Sequence, residues 1–575
     1  MCVVGSGALL NEACSSTQNT FPDGTDAGTL DETLLDDGPQ LPSGDASEGG
    51  SNCVQCSGDL KSILTCGDNP QLVQTCTGDQ GCGANGCISA CDAAAANKSS
   101  IGCDYYAIPP DAWTHMSCFA AYVNNTWDVP LKVSLVWKGK TIDATPFSYV
   151  PKGSGNSITY QLAPNTGIAP NSMAIVFLNQ VQSSDGYHVS CPNGTKAAIE
   201  SEDVMPNGTG LGSALELKTS VPAVVYDIYP FGGAISYMPS ATLLLPTTAW
   251  DTNYVTTTMS EWNAGNSIPG IDFVGMQDNT TITLLPTTDI TGGNGVASAK
   301  KGVPITYKVN KGQLLHVMQA VDGAGNDLTG SVVQSSNPIG VWGEHFCMTH
   351  APSPPNWRIV GAAKGTTLTY DPPVPGAPKT LTVGQLVEFP GPEAFRIQSQ
   401  DAMHPFYLAA HRPGGDCDAA HQQIPPIQAL DYDYTAVANE TANYSLGGPE
   451  TVNIVPPAQF LANYVFFTDP TFGWTDLAMV RKKAGDGTYK DVTLDCLGKV
   501  PGWKQIGGSP YQYAHVSVQT NHQPVGKCDN GLHTVKSDAP FGITVWGYDS
   551  AASYAYPAGA SVKPINTIVV PPVPN

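Results

Sequence analysis

The sequence predicts an all-β chain of tandem antiparallel β-sandwich-like repeat units, on three observations. Charged residues make up 13% of the chain, which holds 60 glycines and 47 prolines; that composition suits many short strands and turns better than long amphipathic helices. From Ile101 onward, short apolar segments such as "LKVSLVW", "SITYQLAP", "MAIVFLN" and "ATLLLP" are separated by Gly, Pro, Asn-Thr or Asp-Gly, the usual punctuation of strands. Blocks of sequence also recur at intervals of about a hundred residues, a period that fits a six- or seven-stranded sandwich. A β-propeller with two blades per unit is the alternative.

The 575 residues correspond to about three to five domains. Residues 1–52 read as a signal remnant followed by an acidic Gly/Ser/Asp linker. The start, "MCVVGSGALLNEACSS", has no Lys or Arg before Lys61 and so lacks the basic region of a complete secretory signal. Cys2 and Cys14 leave a lipid anchor open, although neither follows a lipobox. The stretch that follows has no apolar periodicity and is expected to be disordered. Its aspartates do not match a calcium-loop spacing.

Residues 53–100 hold Cys53, Cys56, Cys66, Cys76, Cys82, Cys87 and Cys91 with little else to form a core. Disulfides are expected to stabilise this segment. Cys53-x-x-Cys56 has a zinc-ligand spacing, but no matching second pair stands at finger distance. Sixteen cysteines in the chain point to an oxidising compartment and so to export. The formal charge of −23 repels phosphate backbones, so nucleic acid is not an expected partner. No apolar run reaches the length of a membrane-spanning helix.

Four β units are expected, over 101–240, 241–350, 351–440 and 441–575. The second reads "FVGMQDNTTITLLP", then "GQLLHVMQ", then "LTGSVVQSSNPIGVWGEH"; the third repeats it as "RIVGAAKGTTLTYDPP", "GQLVEFP" and "FRIQSQDAMHPFYLAAH". Closing strands recur as "TSVPAVVYDIY" in the first unit and "SDAPFGITVWGYD" in the last. "NPIGVWG" is therefore a buried closing strand, and distinctive chemistry begins at His345.

Beyond that strand stand Cys347 and then Cys417, Asp418 and His421. Two cysteines flanking a whole unit are expected to close it by a disulfide, which stabilises by about 2–4 kcal/mol. If the thiols were free, His345, Cys347, Cys417, Asp418 and His421 would be the candidate metal or nucleophile site. Cys496 with Cys528 reads as a bridge in the last unit, and Cys118 with Cys191 or Cys103 as one in the first. No Gly-x-Ser-x-Gly, His-Glu-x-x-His or Walker motif occurs, so no catalytic residue, cofactor or metal ligand is assigned.

The ordered landmarks "SATLLLPTTAWDTNY", "VGMQDNTTITLLPTTDI", "LTGSVVQSSNPIGVWGEHFC" and "CDAAHQQIPP" resemble the N-terminal domain of the IgGFc-binding proteins, over roughly 225–440. The bacterial branch of that family extends the resemblance from "GCDYYAIPPD" to "FGITVWGYDSAASYAYPAG". It departs from the animal pattern where Glu344 is interposed before His345, where Ala419-Ala420 precede His421, and where about seventy residues separate the two cysteines. The resemblance implies a secreted or surface-exposed, non-catalytic binding or adhesion protein. Its ligand would be an extracellular protein or glycan met by repeat loops; immunoglobulin Fc is not the expected one, since a fold does not transfer a partner. The alternatives are an extracellular hydrolase with a carboxylate or Cys-His site and a structural envelope protein.

Overall fold

The computed structural model describes residues 53–572 except 67–69, 99, 113–115, 184–187, 237–238, 260–267, 322–325, 346–355, 392–393, 413–446, 449, 550–551, 562–565 and 567. The expected N-terminal linker, Cys347, Cys417, Asp418 and His421 lie outside the described residues. The described chain is all-β, its α-helical part being Ala90–Asn97.

The cysteine-rich segment forms a three-stranded antiparallel sheet, Val54–Cys56, Ser62–Thr65 and Leu72–Thr75, and a hairpin of Gln80–Gly83 with Gly86–Ser89. Its core is Ile63 with Cys76 and Cys82, too small to hold a fold on its own. Disulfides Cys53–Cys66, Cys56–Cys82 and Cys76–Cys87 staple it. With Cys53 and Cys56 each in a disulfide, neither is a zinc thiolate. The seventh cysteine bonds outward: Cys91, in the helix capped by Ser89, joins Cys103 in the first unit. Cys118 pairs with Cys191, and Cys496 with Cys528.

Each β unit is built on a central strand between two antiparallel neighbours. In the first unit, Phe119–Asn125 lies between Ser172–Asn179 and Leu215–Tyr229. In the second, Pro269–Gly275 lies between Gln313–Met318 and Val332–His345. The third has Asn356–Gly361 between Leu386–Pro390 and Phe406–Arg412, and the fourth Trp474–Lys482 between Tyr511–Thr520 and Leu532–Asp549.

The long closing strands change partners part-way. Val332–Ser335 pairs with Thr280–Leu285, whereas Ile339–His345 pairs with Pro269–Gly275. In the fourth unit, Leu532–Lys536 pairs with the strand Leu461–Phe467, and Phe541–Tyr548 with Trp474–Arg481. Pro338, Pro540 and, in the first unit, Pro222 fall between the two ladders. Proline has no N–H to give a ladder, so it is tolerated where a strand leaves one set of partners for another.

The units pack on one another in sequence. Tyr106 and Ile108 of the first lie in one cluster with Trp250, Val274 and Leu314 of the second. Arg358 of the third reaches Asp327 of the second. Asp371 of the third accepts a hydrogen bond from Gly508 N of the fourth at 3.1 Å. The fourth returns to the first through a large shared core that includes Tyr122, Phe177, Phe231, Phe466, Phe541 and Tyr556. Across it, the tilted rings of Tyr122 and Phe467 pack with centroids 5.1 Å apart, and Gly232 N donates to Asp469 Oδ2 at 2.8 Å.

Candidate functional site

The strand Pro269–Gly275 is buried along its whole length, which the two-residue alternation of side chains explains. Ile271 and Phe273 point into the core of the second unit. Gly270, Asp272 and Val274 point the other way, where the first unit covers them. On that covered face Asp272 is ladder-paired with His316, and Gly270 with Glu344. Asp111, from the segment after strand Ile101–Ala107 of the first unit, completes a cluster of three carboxylates around one imidazole.

His316 Nδ1 lies 2.9 Å from Asp272 Oδ1 and 3.4 Å from Glu344 Oε1; its Nε2 lies 3.3 Å from Asp111 Oδ2. Asp111 N donates to Glu344 Oε2 at 2.9 Å, and Gly208 N donates to Asp111 Oδ2 at 3.0 Å. His316 is fully buried and Asp111 and Asp272 are 1% exposed, so water screens none of these charges. Burial alone would depress the His316 pKa, but Glu344, Asp272 and Asp111 outweigh it and push it well up. Burial raises Glu344 well above the carboxylate range, and the charge on Asp272 adds to the effect. Gly270 makes room for the cluster: a Cβ there would stand 2.6 Å from Glu344 Oε1 and 3.0 Å from His316 Cε1.

A second ionic cluster joins the second and third units. Arg358, 3% exposed, donates from Nη2 to Thr258 O at 3.0 Å and to Asp327 Oδ2 at 2.6 Å, and from Nη1 to Glu388. Burial opposes its charge, but Asp327 and Glu388 more than restore it. Ladder-paired with Asn356, two residues from Arg358, is His411, whose Nδ1 lies 3.0 Å from Thr451 Oγ1. Burial, then Arg358, lowers the His411 pKa to about 3, and His345 adds to the effect.

Of the residues singled out from sequence, His345 ends its strand opposite Pro269 and sits close enough to His411 to influence it. Asp495 and His533 approach Cys496, but that sulfur is bonded to Cys528 and is not a thiolate ligand. Asp111, Asp272 and His316 were not singled out, yet a signal existed: one Asp in "PGIDFVG" and one His in "GQLLHVM" interrupt otherwise apolar strands. A polar residue at an inward position needs a partner, and each is the other's. An open cleft of about 360 Å³ on the first unit, lined by Leu131, Val133, Asn165 and Lys218 among others, shares no residue with either cluster.

The IgGFc binding protein family profile matches residues 240–355 and 342–547, more than half of the chain. The chain belongs to the IgGFc-binding protein family. The two matches overlap on 342–355, which begins at the end of the closing strand and contains Glu344 and His345. A human protein named IgGFc-binding protein is 25% identical over 228 residues, 39% of this chain and 4% of that protein; the chain thus spans a small fraction of that relative. No solved structure matches. Family membership supports a binding protein, and six disulfides among the described residues fit an oxidising, extracellular setting. No helix among the described residues is long and apolar enough to cross a membrane.

Proposed function

We propose that the chain is a non-catalytic binding or adhesion protein, secreted or held at a cell surface, of the exported cysteine-rich bacterial branch of the IgGFc-binding family. It recognises a protein or glycan through loops at the ends of its β units. One observation carries this reading: the fourth unit gathers aromatic and cationic side chains on a strongly acidic chain. Arg481 lies over the rings of Trp503 at 4.1 Å and Tyr489 at 5.2 Å, and Lys483 lies 5.4 Å from Tyr489. Lys504, next to Trp503, stands 5.8 Å from Tyr513. Trp, Tyr and Arg dominate the energetics of recognition surfaces, and stacked aromatics beside cations suit acidic sugars or acidic peptide segments. The His316 cluster, by contrast, is buried between the first and second units, and in the Arg358 cluster only Glu388 is exposed.

The test is a glycan array probed with the intact chain, run beside immobilised immunoglobulin G Fc. The expected result is binding to acidic glycans that Lys483→Glu and Trp503→Ala weaken at least tenfold, with no Fc binding. Fc binding that both substitutions leave unchanged overturns the assignment of ligand and surface. Turnover of an arrayed glycan overturns the non-catalytic reading.

A further inference from the structure

We propose that Asp111, His316 and Glu344 form a zinc site that joins the first unit to the second. The sequence assigns no metal there, and the inference is independent of the ligand proposed above. One carboxylate oxygen each from Asp111 and Glu344 and one ring nitrogen of His316 lie within 4.8 Å of one another. His316 supplies the independent indication of a ligand. Its Nδ1 faces Asp272 Oδ1 at 2.9 Å, and a carboxylate there holds a proton on Nδ1, so that Nε2 is the nitrogen that would exchange its own proton for a metal ion. Metal-bound histidines usually donate their other ring N–H to a carboxylate in this way. Nε2 is buried and faces Asp111 Oδ2 at 3.3 Å outside hydrogen-bond geometry, as Glu344 Oε1 faces Nδ1 at 3.4 Å.

The spacing and charge agree with zinc. Bonds of about 2.0–2.1 Å to nitrogen and oxygen in a tetrahedron put neighbouring ligand atoms about 3.3 Å apart; Nε2 stands 3.3 Å from Asp111 Oδ2, while Glu344 Oε1, now 3.4 Å from Nδ1, has to turn toward Nε2 to complete the set. Three carboxylates against one imidazole leave buried negative charge that a single imidazolium does not balance, and a divalent cation removes it. Three protein donors, one of them a histidine nitrogen, argue against calcium, which takes six to eight oxygens. Because Asp111 belongs to the first unit and His316 and Glu344 to the second, the ion links two units; three protein donors leave the fourth tetrahedral position to a second carboxylate oxygen or a water, and because the donors are buried the ion is loaded as the chain folds. Its role is structural.

The experiment uses the full chain with its disulfides intact, exposed to excess zinc during refolding and then freed of loose metal by gel filtration. Elemental analysis is expected to find about one zinc per chain. X-ray absorption is expected to show nitrogen and oxygen neighbours without sulfur. Asp111→Asn and Glu344→Gln, nearly isosteric, are expected to lower retained zinc at least tenfold. Chelation is expected to lower the thermal midpoint of the wild type by about 5 °C or more and to leave the variants unmoved. Zinc below a tenth of an equivalent overturns the proposal, as does full retention in folded variants or sulfur in the first shell. Should a variant not fold, the absorption spectrum of the wild type decides alone.

Discussion

In the second unit the central Asp272 pairs across one ladder with His316 and across the other with Trp342, and Glu344 lies two residues beyond. In the fourth unit the same places hold Asp476, Ser517, Trp546 and Tyr548. Strand order, register and the Val-Trp-Gly of the closing strand match, and the aspartate is buried in both. What differs is how its charge is met. Asp476 accepts a hydrogen bond from Ser517 Oγ at 2.6 Å, whereas Asp272 faces an imidazole shared with two further carboxylates. The third unit places Arg358, Glu388 and His411 at these positions, and the first Tyr122, Ile175 and Ile228. One backbone thus carries an apolar layer, two ionic clusters and an aspartate hydrogen-bonded to a serine. The ionic versions stand where the second unit meets the first and the third, so the chemistry follows the neighbour being joined.

That comparison predicts its largest effect at His316. His316→Leu leaves Asp111, Asp272 and Glu344 facing one another in a dry site, and breaking a buried ionic group costs about 3–5 kcal/mol. Chemical denaturation should show the loss in the transition that includes the second unit. A loss below about 1 kcal/mol would mean that the cluster is not an ionic joint, and would place the second unit with the fourth.

Next in size is the effect of the disulfide that the sequence leads one to expect around the third unit. The sequence places Cys347 and Cys417 on either side of it, and non-reducing peptide mapping is expected to find them joined. Cys347→Ser should then destabilise the chain by about 2–4 kcal/mol. Free thiols at both positions would instead direct attention to His345, Cys347, Cys417, Asp418 and His421 as a reactive set.

The strand grammar of the fold was legible in the sequence because period-two patterns, turn residues and the repeated Gly-Gln-Leu segments follow local rules. Where the closing strands change partners, at Pro338 and Pro540, was not read from the sequence and came from the ladders. The site was legible only in part. Glu344 stood out as an insertion against the family pattern, but Asp272 and His316 lie 44 residues apart and Asp111 lies 233 residues from Glu344. Nothing local states that four polar residues in separate apolar strands and loops will meet. The pairing of Cys91 with Cys103 escaped for a related reason. An odd count of seven in the leader requires one cysteine to bond outside it or stay free, and spacing alone does not say which.

A smaller effect distinguishes the third unit by pH. His411 is neutral in the fold, with a pKa lowered to about 3 against about 6.5 in an unfolded chain. Between those values the unfolded state binds the extra proton, so stability falls as pH falls from 6.5 toward 3. At pH 5 the loss is about 2 kcal/mol. Arg358 and His345, which face His411, hold its pKa down, while Glu450 and Thr451 lie on the adjoining strand. His411→Gln removes the titration and should flatten this part of the profile. An unchanged slope would assign the acid sensitivity to other groups.

The smallest effect belongs to the fourth unit. Ser517→Ala removes one hydrogen bond to Asp476 and opens a gap only one oxygen wide, which costs about 1 kcal/mol, or up to about 3 for a charged acceptor. The corresponding change in the second unit, at His316, is expected to cost more because three carboxylates there share one partner. Equal losses at Ser517 and His316 would show that both layers act through the central aspartate alone, and the difference in chemistry between the two units would then have no energetic consequence. A clear gap between them locates the extra energy at the joint with Asp111, since Asp272 and Asp476 occupy the same strand position and Asp111 comes from the neighbouring unit.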